Sequence, residues 1–254
     1  MKILLYDLEI TPILGWSYGI WNTNIIEVER SAYIMCFSYM WYGEKKKDIK
    51  CISQIDFPSN YKSHPYDDGK ITKKLHELLE EADIVIAHNA KGFDNKVAMG
   101  RMIYHNMLPP SPFATIDTLT VFRSKFKFSS NSLDKLGQEL KIGRKTKTTH
   151  GKLWRDCVGG DRKAWAKMIR YCKQDVWLLH NLYERARPYI SNHPNISHHD
   201  IDICPRCGSR NLHYRGYRHT NTSSFRRIQC MDCGGWTRER LHDKNLPRPK
   251  YVNI

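Results

Sequence analysis

Residues 2–9, KILLYDLE, begin as an apolar run that stops at acidic positions. The run predicts a buried strand ending in two carboxylates. Two or three more strand-like stretches follow, over residues 14–21, 25–29 and 32–42. They are rich in aromatic and β-branched residues and are separated by turn formers. Glu44-Lys45-Lys46-Lys47 reads as a solvated turn.

The period then changes. Leu75, Leu78, Leu79 and Ala82 fall on one helical face within residues 71–82. Residues 83–88, DIVIAH, form a short apolar run, predicted as a buried strand parallel to the first. Further helices are predicted over 93–106, closed by Pro109-Pro110, over 132–140, capped by Ser132, and over 162–187, ending at Pro188. Residues 115–119 read as one more strand. Strands first, then helix alternating with strand, predict an α/β fold: a mixed sheet flanked by helices on both faces. Residues 192–200, NHPNISHHD, are polar, contain Pro194 and read as a linker. The expected organisation is a domain over 1–191, a linker over 192–200 and a small module over 201–254.

Charge narrows the class of partner. The 254 residues carry 41 Lys and Arg against 26 Asp and Glu, a formal net charge of +15. Basic groups that neutralise phosphates release condensed counterions, so a polyanionic partner is favoured. No basic amphipathic helix or lipidation motif supports a membrane surface. The apolar start is too short for a signal peptide and nothing resembles a transmembrane span, so a cytoplasmic protein is expected. Of eight cysteines, four form two CxxC pairs, while Cys36, Cys51, Cys157 and Cys172 have no framework spacing. That usage suits a reducing compartment and one metal site rather than a disulfide scaffold.

Three short patterns carry candidate chemistry. Asp7 and Glu9 are two apart on a strand, hence on one face. Like charges buried together need a cation between them, and oxygen ligands without nearby Cys or His suit Mg²⁺ or Mn²⁺. Taken alone, the pair reads equally as two solvated acids at a strand end. His88-Asn89-Ala90-Lys91-Gly92-Phe93-Asp94 follows a strand and opens a helix, placing Asp94 in its first turn beside the sheet end. Taken alone, that acid is explained by the helix dipole. Tyr171 and Asp175 are four apart and share a helix face. A phenol one turn before a carboxylate can orient water or phosphate while the carboxylate holds a metal.

Asp-x-Glu, Asn-x3-Phe-Asp and Tyr-x3-Asp, in this order, resemble the three motifs of the DEDD 3′→5′ exonucleases. The tyrosine marks the DEDDy branch, because the histidine branch needs His where Arg170 stands. The resemblance is to the exonuclease domains of family B DNA polymerases and their stand-alone relatives, over about residues 1–190. Segments around Asp117 and Asp134 also look familiar in these domains. The resemblance implies a ribonuclease-H-like fold and two Mg²⁺ or Mn²⁺ ions acting in a two-metal displacement. It implies that Asp7 bridges both ions, that Glu9 and Asp175 serve the ion activating water, and that Asp94 helps hold the other. Tyr171 would hydrogen-bond the attacking water or the scissile phosphate. Asn89 and Phe93 become candidates for the terminal nucleotide, with Phe93 equally a core residue. His88 is expected to be a buried, hydrogen-bonded residue.

The second metal reading is independent of the first. Cys204-Pro-Arg-Cys207-Gly208 and Cys230-Met-Asp-Cys233-Gly234 match a four-thiolate tetrahedral Zn²⁺ site. The segment resembles a zinc ribbon, in which zinc supplies folding energy. Arg215, Arg218, Arg226 and Arg227 alternate with Tyr214, Tyr217 and Phe225 between the knuckles, suiting phosphate contacts with base stacking. A solvated basic face over a small core, or a protein-docking face, explains them too. Arg144, Lys145 and Lys147 form a second basic stretch, readable as a substrate-gripping loop or as solvated charge.

The expected function is therefore 3′→5′ exonucleolytic hydrolysis of single-stranded nucleic acid. DNA is favoured over RNA, in DNA replication or repair, with a polymerase or replication protein in trans as the protein partner. The alternatives are the same chemistry on RNA, a non-catalytic binding or docking protein retaining the fold, and a structure-specific endonuclease.

Overall fold

The computed structural model describes residues 1–21, 24–148, 151–197, 202–220 and 222–239. The expected linker's last residues, 198–200, and the module's residues 201, 221 and 240–254 lie outside them. The chain divides into two compact units, Met1–Leu182 and Tyr183–Ile254. The division falls within the last helix, ahead of the linker expected at 192–200.

The first unit is built on five strands: β1 (Ile3–Ile10), β4 (Ile34–Trp41), β5 (Lys50–Ser53), β6 (Ile84–Ala87) and β7 (Ala114–Asp117), in the order β5-β4-β1-β6-β7. β4 pairs antiparallel with β1 and β5, while β6 runs parallel to β1 and β7. This is the expected mixed α/β sheet. β1 is central, so both its faces are covered, and Leu4, Leu5 and Tyr6 are fully buried.

Residue parity assigns the two faces. Leu4, Tyr6 and Leu8 of β1, with Phe37 and Tyr39 of β4, pack with α2 (Gly69–Glu81) and α3 (Asp94–Tyr104). Leu75 and Leu79 supply the α2 stripe, as the spacing predicts. The opposite face of β1 carries Leu5, Asp7 and Glu9. On that side Cys36 packs with Leu153 and Cys157 of α6 (Lys152–Val158) and with Trp165, Met168 and Tyr171 of α7 (Arg162–Ala186). Asp68, fully buried at the start of α2, accepts from Arg101 Nε at 2.8 Å, Arg101 Nη2 at 2.7 Å and the Ile34 amide at 2.8 Å, and pairs with His105 Nε2 at 2.6 Å. It ties α2, α3 and β4 together.

Several elements differ from the expectation. Residues 14–21 and 25–29 do not join the main sheet. They give β2 (Leu14–Trp16) and β3 (Glu27–Arg30), which pair only with each other and expose Trp16, Tyr18, Trp21 and Val28. β5 was not expected because its sequence, KCIS, lacks an apolar run. The helices α1 (Pro58–Ser63), α4 (Thr118–Lys125) and α6 were also not foreseen. The strand expected over 115–119 stops at Asp117, whose carboxylate accepts from the Leu119 and Thr120 amides and turns the chain directly into α4. α5 (Leu133–Glu139) follows as expected.

The second unit holds an antiparallel sheet, β10-β9-β8, made of β8 (Leu212–His219), β9 (Ser224–Cys230) and β10 (Trp236–Arg238). One buried cluster holds Cys204, Cys230 and Cys233, with the partly buried Cys207 and Leu212 packed against them. Gly208 and Gly234, at φ 75° and 74°, close the two knuckles, and each amide returns to the carbonyl of the first cysteine of its pair at 2.9 Å. The arrangement is compatible with a zinc ribbon. Among the described residues no helix is long and apolar enough to cross a membrane.

Candidate active site

The acidic residues converge because of strand parity and helix register. Asp7 and Glu9 project from the same face of β1, near its C-terminal end. Asp175, one helical turn beyond Tyr171, faces them from α7. Oxygens of Asp7, Glu9 and Asp175 all lie within 4.8 Å of one another. Asp94 opens α3 and accepts from the Leu8 amide at 3.4 Å, so it is held against the strand segment between the other two acids. Asp94 and Asp175 are 2% and 0% exposed.

Such packing has an electrostatic cost. Burial, then Asp175 and Glu9, raise the Asp7 pKa well above the carboxylate range. Burial raises Glu9 to about 8, against the pull of Lys145, and raises Asp94 to about 7. Burial raises Asp175 as well, again opposed by Lys145. Asp175 Oδ1 is buried and receives no hydrogen bond among the described residues. A buried carboxylate oxygen with no donor, facing two more acids, fits a cation ligand. The all-oxygen donor set suits Mg²⁺ or Mn²⁺.

Lys145 is a partner that the motifs do not reveal. Its ammonium donates to Asp175 Oδ2 at 2.6 Å and to the Tyr171 hydroxyl at 3.3 Å. Burial lowers its pKa, but Asp175 and Asp7 outweigh this and raise it, so it stays cationic. The Asp134 carboxylate accepts from the Lys145 amide at 2.8 Å and fixes the turn that aims the side chain. Burial and then Asp175 raise the Tyr171 pKa, so the phenol stays protonated and able to donate. The Trp154 side chain hydrogen-bonds Glu9.

The acids open into a cleft of about 1040 Å³ whose lining includes Asp7, His88, Arg123, Arg144, Lys145, Lys147 and Tyr171. The basic stretch thus reaches the cleft wall, with Lys145 turned onto the acids. Arg123, from α4, was not singled out in the sequence because its helix was not predicted. The His88 nitrogens bond Thr118 Oγ1 and the Asn131 carbonyl, both at 2.9 Å, and burial lowers its pKa to about 4. It is a neutral, hydrogen-bonded residue.

The second-motif loop is shaped by Asp117, which accepts from the Asn89 amide at 3.0 Å and the Lys91 amide at 3.1 Å. Asn89 sits at φ 78°, and a Cβ at Gly92 would collide with its side-chain carbonyl. Phe93 packs partly against the α2–α3 core.

Residues 26–187 match a family model described as the RNase_H superfamily. The chain belongs to the ribonuclease H superfamily. The matched segment contains Asp94, Tyr171 and Asp175 and starts after Asp7 and Glu9. No curated protein matches the chain. Among solved structures, part of the family B DNA polymerase from the hyperthermophilic archaeon Pyrobaculum calidifontis is similar in fold, with a TM-score of 0.55 and 13% identity over 74% of this chain. This chain spans 25% of that polymerase.

The raised pKa values of these acids have a measurable consequence. Unfolded carboxylates titrate near 4, below the values near 7 and 8 for Asp94 and Glu9. Between those limits the folded chain binds more protons than the unfolded one, so stability falls as pH rises. In magnesium-free buffer the melting temperature is expected to fall from about pH 5 to about pH 8. Excess Mg²⁺ is expected to raise it most at the alkaline end. Melting scans with and without Mg²⁺ check this, and a metal-free profile that rises across the range contradicts it.

In the second unit the Cys204 and Cys233 sulfurs are 3.8 Å apart, and those of Cys207 and Cys230 3.6 Å. A tetrahedral Zn–S distance near 2.3 Å sets sulfurs about 3.8 Å apart, so the cysteines fit zinc. The arginines named with them lie on β8 and β9. Arg226 lies over the Tyr214 ring at 5.7 Å and Arg227 over Trp236 at 4.9 Å. Tyr214 is nevertheless 65% exposed.

Proposed function

We propose that this chain is a metal-dependent 3′→5′ exonuclease acting on single-stranded nucleic acid, with DNA as the preferred substrate. The observation that carries this reading is the cluster of Asp7, Glu9 and Asp175 within 4.8 Å, beside the Tyr171 hydroxyl, in a ribonuclease H fold. Asp7, Glu9, Asp94 and Asp175 would hold two Mg²⁺ or Mn²⁺ ions. Such a pair lowers the pKa of a bound water and stabilises the departing 3′ oxygen.

The chain's own groups do the positioning. The protonated Tyr171 donates a hydrogen bond to the attacking water or the scissile phosphate. Lys145 holds the Tyr171 hydroxyl and Asp175 in register. Arg144 and Lys147 on the cleft wall meet the strand's phosphates, and Asn89 and Phe93 are candidates for the terminal nucleotide. The second unit, with Zn²⁺ on Cys204, Cys207, Cys230 and Cys233, supplies further phosphate and stacking contacts through Arg215, Arg218, Arg226 and Arg227. The fold shared with a DNA polymerase supports DNA as substrate and a polymerase acting in trans as partner. The thiol usage supports a reducing, cytoplasmic setting.

Single strands of DNA and RNA, labelled at either end, test this with Mg²⁺ present or omitted. A ladder from the 5′-labelled strand and early release of the 3′ label are expected, faster on DNA. Faster loss of RNA would reassign the substrate. No metal-dependent cleavage of either strand would favour a binding protein that retains the fold.

A further inference from the structure

Three cysteines without motif spacing meet immediately behind the acidic site. β1, β4 and β5 are in register there: Asp7 lies opposite Ser38 and Ser38 opposite Cys51, while Glu9 lies opposite Cys36. Asp7, Glu9, Cys36, Ser38 and Cys51 therefore share one sheet face. Cys172 comes down onto that face from α7. The sulfurs of Cys36, Cys51 and Cys172 all lie within 4.8 Å of one another. All three are free thiols. Cys36 and Cys172 are fully buried, and Cys51, on the edge strand, is half-buried.

Cys172 also touches the acids. Its thiol lies 3.5 Å from the Asp7 carbonyl oxygen and 3.8 Å from Asp7 Oδ2, within range to donate to either. It sits between Tyr171 and Asp175 on the same helix. A change at Cys172 is thus felt directly by three candidate catalytic groups.

We propose that Cys51 and Cys172 form a hydroperoxide-responsive pair whose oxidation to a disulfide switches off the acidic site. Cys51 is the attacking thiol, because it alone of the three reaches solvent. Hydrogen bonds from Cys172, then Cys36, lower its pKa to about 4 against burial, with Lys173 adding to the effect. The Cys51 thiolate attacks one peroxide oxygen, the O–O bond breaks, and the released hydroxide takes a proton to become water. Cys51 is then a sulfenic acid. The Cys172 sulfur displaces hydroxide from it, the Cys172 proton converts that hydroxide to water, and the S–S bond forms. Two electrons pass from the sulfur pair to the peroxide, and a thiol reductant returns them. Cys36 lies diagonally from Cys51 on the neighbouring strand, whereas Cys172 faces both from the covering helix. A soft metal ion on all three sulfurs is the competing use. Three thiolates with a divalent ion would still leave a net negative charge beside Asp7 and Glu9, whereas a disulfide is neutral.

The thiol pair itself does not depend on the nuclease reading, but its effect on cleavage does. Bringing the sulfurs to bonding distance removes the donor from Asp7 and shifts the turn carrying Tyr171 and Asp175. Displacements near 1 Å at a reacting centre cost up to about a hundredfold in rate.

The test uses the 254-residue chain purified with zinc. Limiting hydrogen peroxide is followed by alkylation, peptide mapping and a chromogenic assay for released zinc. The expected result is a Cys51–Cys172 bridge formed before zinc is lost, with cleavage falling at least about tenfold and returning with dithiothreitol. Cys51→Ser should keep its untreated activity and melting temperature and resist peroxide. A bridge from Cys51 to Cys36, an unmodified Cys51, oxidation of the ribbon first, or an increase in absorbance from a thiolate-bound metal at these three sulfurs would overturn the proposal. Absence of cleavage before treatment would sink the nuclease reading alone, since mapping still reads the bridge.

Discussion

Asp7→Asn is expected to lower metal-dependent cleavage by at least about a thousandfold. Asparagine keeps the size of the side chain and removes its charge. If the four acids hold two ions as proposed, Asp7 would be the one best placed to serve both, since its oxygens lie within 4.8 Å of those of Glu9 beside it and Asp175 opposite, and its strand supplies the amide that holds Asp94. The same substitution should leave the metal-free protein at least as stable. Burial, Asp175 and Glu9 all oppose ionisation of Asp7, so an uncharged group in its place relieves repulsion. The stabilisation by Mg²⁺ should shrink, because the proposed site would lose one of its ligands. Cleavage assays and melting scans on one preparation read these effects together. A variant with loss of activity and a lowered metal-free melting temperature would point to a folding defect. A fully active variant would remove Asp7 from the site.

Lys145 gives that experiment its sign. In the metal-free protein its ammonium already balances Asp175, so the cluster is not a bare set of four charges. Lys145 also pulls on Asp7, Glu9 and Asp94, but there burial and the neighbouring acids outweigh it. This is why the alkaline loss of stability is expected to follow Glu9 and Asp94.

The acids were legible in the sequence because their positions obey short-range rules. Asp7 and Glu9 share a face by strand parity, Asp94 follows a strand into a helix, and Tyr171 and Asp175 are one helical turn apart. The knuckle cysteines were legible for the same reason. Lys145 was legible only as a charge in a basic run. Its pairing depends on Asp134 and on the path from α5 to α7, which span tens of residues. The cluster of Cys36, Cys51 and Cys172 was invisible, since it joins two strands and a helix with no fixed spacing. Elements went missing where pattern was weak. β5 is a polar edge strand, α4 begins without a loop after β7, and the apolar residues of 14–21 and 25–29 read as sheet although their hairpin stands exposed. In the second unit, arginines and aromatics were read as alternating nucleic-acid contacts. The Arg226 and Arg227 guanidinium groups already lie over the Tyr214 and Trp236 rings, so part of that pattern is internal packing.

Cys230→Ser is expected to unfold the second unit while leaving the first unit's own transition in place. The reason lies in how little else holds the module. Its cysteine cluster is Cys204, Cys230 and Cys233 with Cys207 and Leu212 against them, and a three-stranded sheet on which Ile228 is the one buried apolar side chain besides the cysteines among the described residues of β8–β10 has too small an apolar face to offset the entropy of ordering it. The sulfurs stand 3.6 and 3.8 Å apart, as zinc requires and as disulfides do not. Binding of structural zinc by such modules contributes on the order of 10–16 kcal/mol, more than the net stability of most domains. Cys230 ends β9, and its amide donates to the Gly235 carbonyl at 2.9 Å. Serine keeps that backbone bond and loses the thiolate, so the variant isolates the metal from the turn. The wild type should carry one zinc per chain and the variant close to none. Amide resonances of residues 212–238 should collapse toward unfolded shifts, while those of the first unit persist. Cleavage of a very short strand should survive in the variant, and binding of longer strands should weaken with a shallower salt dependence as Arg215, Arg218, Arg226 and Arg227 lose their frame. A variant that releases its zinc yet keeps the strand signals of β8 and β9 would show that the module's packing, and not the metal, carries its fold.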